Sequence, residues 1–78
     1  MDRAANENSP YQCELEEIEH RIRNGRAAVE YQAGIVSELK YEGRDVTGGE
    51  HLLAMLKESL ELLLDARQAI LERINSLH

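Results

Sequence analysis

Two apolar stripes flank a short glycine-bearing break, and they constrain this 78-residue chain more than anything else in it. The first runs Tyr11, Leu15, Ile18, Ile22, Gly25, Val29, Gln32, Val36, Leu39 in alternating steps of four and three. That is a heptad seam, with Gly25 and Gln32 as its two irregular members. The second runs Leu53, Leu56, Leu60, Leu63, Arg67, Ile70, Ile74, Leu77, with one polar break at Arg67. Such spacing places each stripe along one side of an α-helix.

The ends of the two helices carry their own signals. Ser9-Pro10-Tyr11-Gln12 opens the first: Ser as cap, Pro at the first helical position, Gln completing a capping box. Glu17 with Arg21 and Glu19 with Arg23 are i,i+4 pairs in the favourable order. Gly43, within Glu42-Gly43-Arg44-Asp45-Val46, is a left-handed terminator. Thr47-Gly48-Gly49-Glu50 has capping-box spacing with Thr47 as the cap, and its glycines weaken the first turn. The spacing predicts helices over about 10–41 and 48–77. Residues 1–8 are polar and patternless and read as a disordered tail, leaving 9–78 as an α-hairpin.

In an antiparallel hairpin, facing residues have a constant index sum. Leu39 with Leu53 gives 92, as do Val36 with Leu56, Gly25 with Arg67 and Leu15 with Leu77. This places the turn at Val46 and predicts an all-α, coiled-coil-like two-helix hairpin. The fourteen apolar seam residues cover little area for so long a chain. Leu52, Leu64, Leu71, Ala66, Ala28, Ala33 and Ile35 widen the apolar face, and a homodimer forming a four-helix bundle would cover them. Val29, Ile35, Val36, Leu56, Leu63, Leu64, Ile70 and Leu71 are the expected interface. Gln32 and Arg67 are the expected specificity residues. Gln32 either makes a register-setting hydrogen bond or lies at the seam edge. Arg67 either snorkels across the gap left by Gly25 or acts as a buried polar device for register.

Composition narrows the function classes. Nine basic against fifteen acidic residues give a net charge of −6, which argues against a nucleic-acid surface. One Cys excludes an internal disulfide framework and a multi-Cys zinc site. No apolar run is long enough for a membrane span, and the polar start lacks a signal-peptide core; the expectation is a soluble cytoplasmic protein. Cys13 and His20 stand about 10.5 Å apart along a helix, too far for one metal without another ligand, so no metal or cofactor is expected. Glu14, Glu16, Glu17 and Glu19 read as a solvated face rather than a catalytic pair. No catalytic residue set emerges. The expected function is a non-catalytic module that self-associates or offers its Leu-rich face to a partner helix.

Two resemblances add to this reading. His20-Arg21-Ile22-Arg23-Asn24 resembles the phosphoacceptor box of one branch of sensor histidine kinases, which often reads His-Arg-Val-Lys-Asn. That resemblance implies a phosphotransfer-like signalling module with His20 as acceptor on a dimeric hairpin, beside Arg23 and Asn24. Gly25-Arg26 departs from the family's continuation, and no nucleotide-binding domain follows. The spaced set Gly25, Gln32, Leu39, Gly43, Asp45, Leu52-Leu53, Ser59-Leu60, Arg67, Leu71 resembles a group of small uncharacterised alphaproteobacterial proteins. It implies a bacterial hairpin and brings no activity with it. Val46 stands where that group's turn carries Thr.

Overall fold

Helix α1 spans Pro10–Tyr41 and helix α2 spans Thr47–Ser76. The computed structural model describes residues 10–77; the expected tail, the Ser9 cap and His78 lie outside them. The second helix begins and ends one residue before the range read from sequence. The two helices pack against each other as a single layer, an all-helical hairpin. At 1.5 Å per residue the arms are about 45–48 Å long, and the register that pairs Glu19 with Arg67 sets Pro10 level with Ser76 at the open end.

The turn follows from its glycine. Gly43 sits at φ 72, in the left-handed region where a Cβ is unfavourable. Its N–H donates to the Lys40 carbonyl at 3.0 Å, and the Arg44 N–H donates to the Leu39 carbonyl at 2.9 Å. Those two bonds form a Schellman motif, which satisfies carbonyls the last turn of α1 would leave open.

The start of α2 departs from expectation. Thr47 does not act as the cap, and the Thr47/Glu50 capping box does not form. The Asp45 carboxylate instead accepts from the Thr47 N–H at 3.0 Å and from its hydroxyl at 2.8 Å. Val46 occupies the cap position without a side-chain bond. Glu50 reaches across the turn to Lys40, 3.2 Å away. A carboxylate two residues upstream closes an Asx turn on the Thr47 N–H and also engages the Thr47 hydroxyl, which is therefore turned away from the helix start.

The register also differs. An added Cβ at Gly25 would meet Leu60 and Leu63, with index sums of 85 and 88 rather than 92. Gly25 therefore does not face Arg67. Arg67 lies opposite Glu19, its Nε 3.2 Å from the carboxylate. The stripes slide by about one heptad, and the turn centres near Arg44 instead of Val46. A seam that repeats every seven residues matches itself equally well one heptad along, so index sums alone cannot choose. The short connection from Glu42 to Val46 and the Gln32 bond to the Gly49 carbonyl together select one of the two. The connection brings the first turn of α2 into the seam, where Gly49 lies within contact range of Val36, Gln32 and Leu39. Gly49 is thus a seam position, four residues before Leu53, that its missing side chain conceals.

Ile22, Val36, Ile70 and the polar Gln32 are the buried residues of the hairpin. The remaining seam positions are half-buried, apart from Leu77, which is exposed. Two helices in one layer leave both edges of the seam open to solvent.

Candidate functional site: two unlike sides of the hairpin

The chemistry-bearing residues sort by the side of the seam on which they stand. One side holds the residues that follow seam positions by one: Glu19, Arg26, Ala33 and Lys40 on α1, Glu50, Lys57, Leu64 and Leu71 on α2. Two observations join these sets. Lys40 pairs with Glu50, and a cleft is lined jointly by Glu19, Ile22, Arg23, Arg26, Leu64 and Arg67. This is the charged side.

The opposite side holds the residues that precede seam positions by one: Arg21, Ala28 and Ile35 on α1, Leu52, Ser59 and Ala66 on α2. Tyr31, Met55 and Leu62 continue it outward by helical spacing. Four of these are large and open to solvent: Tyr31 is 74% exposed, Leu62 65%, Met55 52% and Leu52 45%. With index sums near 86, Ile35 lies level with Leu52 and Tyr31 with Met55. The apolar side therefore draws on both helices in the half nearest the turn, with Ser59 and Glu38 among its polar members. Toward the open end it becomes charged, with Glu14, Glu17 and Arg21 around a shallow groove over Ile18 and Ile70.

The residues expected at an interface are distributed unevenly over this frame. Val36 and Ile70 are buried within the hairpin, and Val29, Leu56 and Leu63 are half-buried along the seam. Ile35 stands on the apolar side, whereas Leu64 and Leu71 stand on the charged side. Tyr31, Met55 and Leu62 were not singled out from sequence. The signal that finds them is one further helical step out from Ile35, Leu52 and Ser59, a step visible only once the sides are told apart.

Gln32, for which a hydrogen bond and a place at the seam edge were the two alternatives, is buried, and its Nε2 donates to the Gly49 carbonyl at 3.1 Å. The partner is 17 residues away, so the bond ties α1 to the first turn of α2. Arg67 and Glu19 are a half-exposed pair, with 39% and 38% of their side chains open to solvent. The Arg67 stem thus crosses the seam to a carboxylate, and Glu19 pairs with Arg67 rather than with Arg23. Glu17 and Arg21 do pair, at 3.1 Å.

His20 and Cys13 are exposed on α1. The Asn24 amide nitrogen lies 3.3 Å from His20 Nε2, one turn along. Among the described residues no three His, Cys, Asp or Glu side chains are grouped to hold a metal ion, and no helix is long and apolar enough to cross a membrane. Asp45 has its carboxyl held below the usual range, first by the Thr47 backbone N–H and then by the Thr47 hydroxyl.

Comparison with protein-family models, with curated proteins and with solved structures found no match for this chain.

Proposed function

We propose that the protein is a non-catalytic self-association module whose apolar side pairs with the same side of a second copy, giving a four-helix bundle. The observation that carries this reading is the exposure of Tyr31, Leu52, Met55 and Leu62 on one side of the seam, with Ile35 at its inner edge. Its contributors come from both helices, as a face-to-face pairing of hairpins requires. No side chain of the described hairpin is completely buried, so a second layer would convert a half-open seam into an interior.

Sedimentation equilibrium from low to high micromolar concentration tests it. The expected species at high micromolar is a dimer. Met55→Glu with Leu62→Glu is expected to give a monomer of unchanged helicity by circular dichroism, while Leu64→Glu, on the charged side, leaves the dimer intact. A monomer throughout the range overturns the proposal. Dissociation by Leu64→Glu alone moves the interface to the other side.

A second reading is a phosphotransfer-like module with His20 as acceptor. It is supported by the exposure of His20 and by Asn24 beside its Nε2. Incubation with a phosphodonor or a phosphorylated receiver domain tests this. Acid-labile label that disappears in His20→Ala supports it, and absence of label removes it.

A further inference from the structure

The cleft on the charged side is lined by three arginines, in a chain whose net charge is −6. Arg23 and Arg26 lie three residues apart on α1, and so share a face. Arg67 approaches from α2. The one carboxylate among the lining residues, Glu19, is bound to Arg67 Nε at 3.2 Å. Among the described residues, Arg23 and Arg26 have no ion-pair or hydrogen-bond partner, and both are exposed. Ile22 and Leu64 supply an apolar floor to this half-open cleft of about 400 Å³. Three arginines less one glutamate leave a charge of +2.

We infer that this cleft binds a small dianion, an organic phosphate monoester, through Arg23 and Arg26 with Arg67 behind them. The chemistry of each wall selects that class. Guanidinium forks match the oxygens of phosphate with paired N–H donors. A charge of +2 is balanced by one doubly ionised phosphate, whereas a single carboxylate leaves half of it uncompensated. The volume falls in the range of small-molecule sites, and the Ile22 and Leu64 floor gives the organic part of a monoester a surface to cover. Glu19 makes the cleft selective by fixing Arg67 and opposing further negative charge. The site lies on the opposite side of the seam from the proposed dimer surface, so neither depends on the other.

The test is a titration of the full-length ¹⁵N-labelled protein with phenyl phosphate at constant ionic strength, with inorganic phosphate and benzoate as separate arms. Phenyl phosphate is expected to give saturable amide shifts centred on 22–26 and 64–67, with a dissociation constant at or below about 1 mM. Inorganic phosphate is expected to move the same amides with weaker affinity, and benzoate to bind at least about tenfold more weakly than phenyl phosphate. Arg23→Ala with Arg26→Ala is expected to weaken phenyl phosphate at least about tenfold without changing helicity. Glu19→Gln is expected to tighten it. Non-saturating shifts overturn the proposal, as do equal shifts around the distant Arg44 and Arg73 or an unchanged affinity in the double variant. Benzoate binding as tightly as phenyl phosphate overturns the choice of a dianion.

Discussion

At the residue scale, Asp45 braces the entry to α2 from one residue before the cap, through two bonds from Thr47. Its folded carboxyl titrates below the value it has in the unfolded chain. Its stabilisation is therefore fully present above the ordinary carboxylate range, and is lost as pH falls through the folded value. Thermal melts of the parent and of Asp45→Ala are expected to differ most near neutrality and to converge on acidification. A difference independent of pH would assign the loss to something other than the charged carboxylate. The neighbouring glycines make a paired contrast. Gly48 has open space where a Cβ would go, so Gly48→Ala is expected to stabilise by about 0.5–1 kcal/mol through helix propensity. At Gly49 a Cβ would stand 3.2 Å from Val36 Cγ2, so Gly49→Leu is expected to destabilise by about 1–3 kcal/mol. Chemical denaturation measures both. If the two substitutions behaved alike, the close approach of the first turn of α2 to Val36 would be refuted.

At the scale of the elements, the helices were legible and their alignment was not. Apolar steps of three and four mark α1 and α2 because they report a local property, the side of a helix each residue occupies. Gly43 as terminator was readable for the same reason: no other residue type accepts its backbone geometry as cheaply. Register is a non-local property, and a heptad pattern constrains it only to within seven residues. The missing information lay at Gly49, which has no side chain to announce its place in the seam, and at Asp45, which engages the Thr47 hydroxyl that the capping box would have used. Gln32 supplies the polar reinforcement. Its bond to the Gly49 carbonyl exists in the observed alignment, and Leu at this position would fit either alignment. Gln32→Leu is therefore expected to retain its helicity but to show doubled amide resonances across 53–60, where the parent shows one set. A single set in the variant would mean that the turn alone fixes the alignment. The candidate surface was half legible for a related reason. Ile35 and Leu52 border the seam and were visible, whereas Tyr31, Met55 and Leu62 needed the two sides to be distinguished first.

At the scale of the whole molecule, the hairpin is a single layer of two helices with arms about 45–48 Å long. An object so thin has little interior, and pairing through the apolar side is the economical way to acquire one. Dimerisation also makes the melting temperature depend on concentration, because mass action favours the associated state. The parent is expected to melt at higher temperature as its concentration rises from micromolar upward. The Met55→Glu, Leu62→Glu variant is expected to melt lower and without that dependence. A melting temperature independent of concentration in the parent would contradict the bundle.

The adjacency of the two described ends has a practical corollary. Packed helices stand about 8–10 Å apart, so the chain leaves the hairpin near the point where it entered. Such a unit can be spliced into a surface loop of a host protein as a rigid stalk, with its reverse turn at the tip. Fluorescent reporters attached to the two ends would in the same way stay close together while the helices remain zipped, and part when they open.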